Sequence, residues 1–140
     1  MTNWIRAQKP EGSPEKLGTL QLAWLGDSVW ELHQRLRNCS ISAKSKDLHM
    51  AVVSEVKATA QAIALSVLEP YLDDQEKKLV KRGRNKARKG PRGIDPAIYG
   101  KATGFETMVG WLFLKDPERL AQLFDRLDES KSNSSKLLRK

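Results

Sequence analysis

Apolar residues recur at helical spacing along most of this chain, and short stretches rich in glycine, proline or aspartate separate the periodic segments. In the first segment, Leu22, Leu25, Val29 and Leu32 fall three or four residues apart. The pattern predicts helices at about residues 15–37, 46–68, 75–87, 99–114 and 118–127. No segment reads convincingly as a strand, and no internal repeat is visible. We therefore predict an all-α fold, built as a helical bundle.

The two ends of the chain do not share this pattern. Proline and glycine predict an irregular lead over residues 1–16. Residues 129–140 are polar and rich in serine and lysine, which is typical of a disordered basic tail. Since 140 residues suffice for one compact core, we predict a single domain over residues 17–128.

Two predicted helices each carry one charged residue in an otherwise uncharged stretch. Asp27 is the only charged residue in 17–30, and Glu106 is the only one in 102–114. The helix around Asp27 is apolar nearly all round, so we expect it to be central in the fold. A lone carboxylate in such a place is costly unless it is paired or bound to a metal ion.

If the two acids meet, they form a magnesium site. Gly104 and Gly110 in the second of these helices would let another helix approach closely. Paired carboxylates bind magnesium, the usual metal for phosphodiester hydrolysis. With one cysteine and two histidines, a zinc site of ordinary ligand count is excluded, which leaves oxygen ligands and Mg²⁺ or Mn²⁺. A structural ion pair at either acid is the alternative, and the sequence leaves both open.

The charge of the chain predicts a polyanionic partner. There are 25 Lys and Arg against 17 Asp and Glu, a net charge of +8, and residues 77–94 hold nine of the basic residues and no acid. No aromatic residue is interleaved there to stack on unpaired bases, so phosphate contacts along a duplex are favoured over a merely solvated surface. The residues expected to bind RNA are Lys81, Arg82, Arg84, Asn85, Lys86, Arg88, Lys89 and Arg92.

Several other classes of function find little support. No apolar stretch approaches the roughly 20 residues that a membrane span needs, and the N-terminal residues show no secretory signal. Cys39 is the single cysteine, which fits a reducing, cytoplasmic interior. His33 and His49 lie in separate predicted helices, so we expect packing or surface roles for them rather than metal-free catalysis.

Five short motifs, in order, resemble those of the ribonuclease III family, and most closely its short Mini-ribonuclease III branch, which lacks a double-stranded-RNA-binding domain. They are LAWLGDS at residues 22–28, LH at 48–49, VKATAQA at 56–62, KRGRN at 81–85 and TGFE at 103–106. The first resembles the family signature around Gly-Asp-Ser, and the last resembles the family's second acidic helix. The resemblance extends over roughly residues 17–127.

This resemblance implies an all-helical endonuclease domain that forms a homodimer with a cleft for double-stranded RNA. It implies magnesium-dependent cleavage that leaves 5′-phosphate and 3′-hydroxyl ends, with the stem of the 23S ribosomal RNA precursor as the usual substrate. Asp27 and Glu106 match the family's metal ligands. Two further acids of the broader family correspond to Ala23 and Thr103 here, as in the short branch, so the number of metal ions and the rest of the ligand set stay open.

Two other functions are compatible with the same sequence. The first is a non-catalytic RNA-binding module, such as a ribosome-assembly factor, in which both acids are structural and the basic run carries the function. The second is a helical DNA-binding regulator, although no helix-turn-helix pattern supports it. Cleavage of a long RNA duplex in the presence of magnesium separates the endonuclease from both.

Overall fold

The computed structural model describes residues 2–39, 58–88 and 90–138, with side chains as far as residue 133. Within these ranges the chain is helical and no strand is found. The helices are α1 (Asn3–Arg6), α2 (Thr19–Asn38), α3 (Ala58–Leu68), α4 (Asp74–Lys86), α5 (Pro96–Lys115) and α6 (Pro117–Leu138). Short 3₁₀ turns lie at Pro14–Lys16 and Glu69–Tyr71. The prediction of an all-α fold is confirmed.

Helix α5 is the centre of the bundle, because α2, α3, α4 and α6 all pack against it. Its sequence is apolar on nearly every side, and Phe105, Met108 and Val109 are fully buried. Trp30 of α2 lies edge-on to Phe105, with ring centroids 5.1 Å apart, and to Phe124 of α6, at 5.4 Å. Such aromatic pairs add about 0.5–1.5 kcal/mol each to the free energy of burial. The core thus joins α2, α5 and α6.

Aspartates begin both α4 and α5. Asp73 Oδ1 accepts a hydrogen bond from the Glu76 N–H at 2.8 Å, and Glu76 Oε1 accepts one from the Asp73 N–H at 2.9 Å. This capping box satisfies two backbone donors at once. Asp95 Oδ1 accepts from the Ala97 N–H at 2.9 Å, and Pro96 occupies the first turn. For this reason α5 begins before Tyr99, where the sequence pattern predicts its start.

One buried acid has a structural partner. Glu76 is 2% exposed, and Arg119 of α6 donates to its two carboxylate oxygens at 2.7 and 2.9 Å. The bidentate pair ties α4 to α6. Glu76 is therefore a buried acid with a purely structural partner, although it lies in a polar stretch of sequence that gave no sign of its burial.

The ends of the chain are more ordered than the sequence predicts. The lead over residues 1–16 contains α1, and Arg6 forms ion pairs with Glu118 and Asp125 of α6, each at 2.9 Å. Helix α6 continues past Leu127, so residues 129–138 are helical rather than irregular. No glycine or proline interrupts the chain after Pro117, and serine and lysine lower helix stability only slightly.

The buried histidine has a packing role. His33 is 1% exposed and lies against the rings of Trp4, Trp30 and Phe124. Its Nδ1 accepts from the Trp4 indole N–H at 3.4 Å, and its Nε2 faces Asp128 at the same distance. The expected packing role of His33 is confirmed. His49 lies outside the described residues.

Candidate active site

Helices α2 and α5 cross at a pair of glycines. A Cβ atom on Gly26 would overlap the carbonyl oxygen of Glu106, and a Cβ atom on Gly110 would overlap that of Leu22. Only glycine lets two helix backbones touch in this way. The expectation that Gly110 permits close approach is therefore confirmed, and the crossing determines which residues of the two helices face each other.

The crossing brings Asp27 and Glu106 together. Their side chains share a hydrogen bond, with Glu106 half-buried and Asp27 exposed. Burial, the negative charge of Asp27 and the hydrogen bond together raise the pKa of Glu106 to about 8. At neutral pH the Glu106 carboxyl therefore keeps its proton in the absence of a cation, and the pair carries a single negative charge.

The face of α2 that carries Asp27 is open to solvent, so the expectation that this helix is central in the fold holds only for its other side. Trp24, one turn before Asp27, is 78% exposed, and Leu20 and Leu32 are 44% and 46% exposed. The buried side instead includes Gly26, because it is the side that crosses α5. The sequence could not separate the two sides, since both are apolar.

Within the described part of the chain, no third acid joins the pair. Ala23 and Thr103 are both buried, and the Thr103 hydroxyl donates to the carbonyl oxygen of Tyr99 at 2.9 Å. Glu31, one turn beyond Asp27, forms an ion pair with Arg35 at 2.9 Å. Among the described residues, no cluster of three or more histidines, cysteines or acids is placed to hold a metal ion.

Two carboxylates in contact nevertheless fit a hard divalent cation. Glu106 keeps its proton because burial and Asp27 disfavour a second negative charge, and a cation bound by both groups would replace that proton. Magnesium usually retains several waters and needs only one or two carboxylates, with substrate phosphates completing its ligand set. Since Asp27 is exposed, water and substrate have access to the pair.

A second glycine crossing joins α4 to α5. A Cβ atom on Gly83 would lie 2.5 Å from Thr107 Oγ1 and 2.7 Å from the Cα atom of Gly104. A Cβ atom on Gly104 would lie 2.5 Å from the carbonyl oxygen of Val80. This contact places the KRGRN segment of α4 directly on the helix that carries Glu106.

The cations of α4 point to both sides of this crossing. Arg82 turns toward α2 and donates to Thr19 Oγ1 at 3.2 Å, whereas Lys81, Arg84 and Asn85 line an open groove against the 3₁₀ turn after α3. Further along, Lys86 is the last residue of α4 and Arg88 and Arg92 are exposed in the following loop; Lys89 lies outside the described residues. No basic residue in 77–94 forms an ion pair with an acid when both residues lie in the described ranges.

Comparison with known proteins identifies the family. Residues 20–117 match the Ribonuclease III domain. The chain is 42% identical over 113 residues to Mini-ribonuclease 3 of a Synechococcus species, covering 81% of this chain and 82% of the relative. It is 44% identical over 108 residues to Mini-ribonuclease 3 of Gloeobacter violaceus, covering 77% and 80%. The chain belongs to the ribonuclease III family.

No described helix is long and apolar enough to cross a membrane.

A solved structure agrees with this assignment. A crystal structure of a Fusobacterium nucleatum protein superposes with a TM-score of 0.75 at 26% identity, covering 83% of this chain and 95% of the other. The chain thus has the all-α ribonuclease III fold. Enzymes of this family are endoribonucleases that cut double-stranded RNA with a divalent metal ion and leave 5′-phosphate ends, and the chain is an endoribonuclease of this kind.

Sequence reasoning identified the two acids but missed two features around them. The sequence predicts Gly83 only as part of the KRGRN motif, although it forms the α4–α5 crossing. The hydrogen bond from Arg82 to Thr19 cannot be predicted from local sequence, because the two residues are 63 positions apart. The signal for Gly83 was present in the sequence, since a glycine inside a helix is usually retained for packing.

Proposed function

We propose that Asp27 and Glu106 form the catalytic centre of this ribonuclease III-family enzyme and that they hold Mg²⁺, for which Mn²⁺ can substitute. The observation that carries this proposal is the pair of carboxylates in contact at the Gly26–Gly110 crossing, with the pKa of Glu106 near 8. Two such groups side by side are unfavourable without a cation. A fold that retains them beside exposed surface suits a site that is completed by a metal ion and substrate.

The two acids have different roles in this proposal. Asp27 is exposed and presents a carboxylate to solvent and substrate. Glu106 is held against the helix crossing and releases its proton when positive charge arrives, so the pair gains a second negative charge only in the loaded site. When bound, the metal ion supplies an activated water and stabilises the charge that builds on the scissile phosphate. The products carry a 5′-phosphate and a 3′-hydroxyl.

The basic run is the proposed surface for the RNA backbone. Its described cations form no ion pair with an acid in the described ranges, and exposed cations attract the phosphates of RNA. The Gly83–Gly104 contact holds the run on α5, the helix of Glu106. The same helix therefore links phosphate contacts to the acid pair.

The enzyme is proposed to act as a homodimer. Leu20, Trp24 and Leu32 are exposed apolar residues on the part of α2 that carries Asp27, and exposed apolar surface bordered by polar residues is typical of a contact with another protein. A second copy on this face would cover Trp24 and leave a cleft for the duplex next to the acids. The catalytic unit is residues 17–128, and the proposed setting is the cytoplasm.

The proposed physiological substrate is the base-paired stem of the 23S ribosomal RNA precursor. Relatives that share about two fifths of their residues with this chain are named Mini-ribonuclease 3, and the short branch of the family resembles this chain in its motifs. A base-paired stem also matches a basic surface that contacts phosphates without aromatic side chains.

The experiment is a cleavage assay on a long RNA duplex with Mg²⁺, with Asp27→Asn and Glu106→Gln compared with the natural protein. Both variants keep the shape of the pair and remove a charge, so we expect cleavage to fall by about a hundredfold or more. Duplex binding in the presence of chelator should stay within about twofold of the natural protein.

Two results would contradict the proposal. Cleavage by Asp27→Asn at close to the natural rate would exclude that residue as a metal ligand. Binding of duplex RNA by the natural protein without any metal-dependent cleavage would instead favour the non-catalytic RNA-binding module. Circular dichroism of each variant checks that the helices are intact.

A further inference from the structure

The groove beside α4 is a separate feature from the acid pair. It lies between α4 and the 3₁₀ turn Glu69–Tyr71 and has a cavity volume of about 710 Å³, within the range of ordinary ligand sites. The residues that line it are Glu69, Pro70, Leu72, Lys77, Val80, Lys81, Arg84 and Asn85. We call it the α4 groove.

The rim of the α4 groove is cationic. Lys77, Lys81 and Arg84 fall at positions i, i+4 and i+7 of α4, which places them along one side of the helix. Glu69 is the one acid in the lining, and none of the three cations forms an ion pair with a described residue. The rim therefore suits at least two negative charges at helical spacing, such as successive phosphates.

The floor of the groove is apolar. Leu72 and Val80 are each 7% exposed, and Pro70 completes the lining beside them. The phosphates of a duplex would satisfy the cations and leave this floor in contact with water. The flat face of an unpaired base would cover it, and the side chains of Asn85 and Glu69 offer hydrogen-bonding groups for the edge of that base. The floor comes from residues outside the basic run, so the run alone gave no indication of it.

The groove is continuous with the proposed RNA surface. The side chain of Arg84 passes over Gly104 of α5, where a Cβ atom would lie 3.0 Å from its Cγ, and the same residue lines the groove. Lys86 and Arg88 follow at the end of α4. An RNA strand on this surface can therefore enter the groove without leaving the basic run, which favours RNA over an acidic protein segment as the occupant.

We propose that the α4 groove binds one or two unpaired nucleotides that flank the duplex, with phosphates on Lys77, Lys81 and Arg84 and a base on the floor of Pro70, Leu72 and Val80. This inference rests on the proposed function, because it assigns part of the same RNA to a second site. It adds a structural preference: the enzyme favours a helix that ends in, or is interrupted by, single strand.

The test measures binding in the presence of chelator, so that cleavage plays no part. Three fluorescent RNAs share one duplex: the first is blunt, the second has a short single-stranded extension, and the third has the same extension without bases. For the natural protein we expect the extension to tighten binding by about threefold to tenfold. The extension without bases should give less than half of that gain, since it keeps the phosphates and loses contact with the floor.

The variants separate the groove from the rest of the basic run. Lys77→Gln with Lys81→Gln should remove the advantage of the extended RNA over the blunt one. Lys78→Gln is the matched control, because it removes a neighbouring charge of α4 that does not line the groove. This control should weaken both RNAs equally and leave their ratio at the natural value.

Three outcomes would overturn the inference: equal affinity for blunt and extended RNA, an equal gain from the extension without bases, or a ratio that the double variant leaves unchanged. Tight binding of an acidic peptide in competition with the extension, at equal charge, would assign the groove to a protein instead. Failure of the proposed function has a different signature, which is loss of cleavage with the affinity ratio intact.

Discussion

The two glycine crossings on α5 use the same packing device and place opposite charges. At the α2–α5 crossing, Gly26 and Gly110 bring two acids into contact. At the α4–α5 crossing, Gly83 and Gly104 bring a cationic helix onto the same central element, and its cations point away into solvent or toward α2. The first crossing thus keeps two acidic groups side by side, whereas the second leaves its cations exposed at the surface.

This difference shows how one small bundle combines a metal site with a polyanion surface. Backbone contact at both crossings leaves little freedom for the helices to slide, so charge can be placed on them at fixed positions. Without a metal ion, the proximity of the two acids destabilises the folded state, yet the backbone contact keeps them together. The cations need no such constraint, since phosphate attraction acts over distances near the Debye length of about 8 Å at physiological salt.

The largest expected effect follows from filling the first crossing. Gly26→Ala and Gly110→Ala each force a methyl group into helix backbone, so we expect a loss of about 3 kcal/mol or more in the free energy of unfolding, or failure to fold. Gly100→Ala in α5 is the control, because a Cβ atom there meets nothing within 4 Å; it should stabilise the protein by up to about 1 kcal/mol. Urea denaturation measures both, and a tolerated Gly26→Ala would refute the close crossing.

The next effect concerns the cations of the second crossing. Neutralising Arg82, Arg84, Lys86 and Arg88 together should weaken duplex binding at least about tenfold at physiological salt. Each lost phosphate contact should reduce the slope of log affinity against log salt by at most about 0.9. Binding titrations at several salt concentrations provide the slope. An unchanged slope would show that this part of α4 faces away from the RNA.

The pH dependence of stability distinguishes the α2–α5 crossing, which holds the two acids, from the α4–α5 crossing. Because folding raises the pKa of Glu106 from an ordinary 4.5 to about 8, its favourable contribution is complete below pH 4.5 and is lost as the pH rises through 8. In chelator, Glu106→Gln should therefore gain stability relative to the natural protein as the pH rises from 5 to 8.5, by up to about 4 kcal/mol. Denaturation at a series of pH values gives this gap, and a gap that is constant with pH would contradict the raised pKa.

Sequence patterns predicted the features that depend on local chemistry. The helical periodicity located all five long helices, although the last one extends to Leu138, well past its predicted end. The isolated charges of Asp27 and Glu106 indicated the residues that the fold brings together. Asp73 belongs to a residue type that favours the N-cap position, and it caps the helix that follows it. Each of these follows from a residue and its near neighbours in the chain.

Features that depend on how helices pair could not be predicted. Both sides of α2 are apolar, so the burial of Gly26 and the exposure of Trp24 depend on where α5 lies. The docking of α1 depends on Arg6 reaching Glu118, more than a hundred residues away in the chain. Leu72, which is 7% exposed, likewise becomes part of the groove floor only because α4 packs beside it, and its own sequence neighbours do not predict this.

The central claim is that a divalent cation replaces the proton shared by Asp27 and Glu106. The most direct test is calorimetric titration of the RNA-free protein with Mn²⁺ at pH 7 in buffers of different ionisation enthalpy, which gives the number of protons released per metal ion bound. With the pKa of Glu106 raised to about 8, we predict that Mn²⁺ binding releases most of one proton at pH 7 and clearly less at pH 8.5, with no release from Glu106→Gln at either pH. Metal binding without proton release at pH 7, or an identical release from Glu106→Gln, would contradict the account.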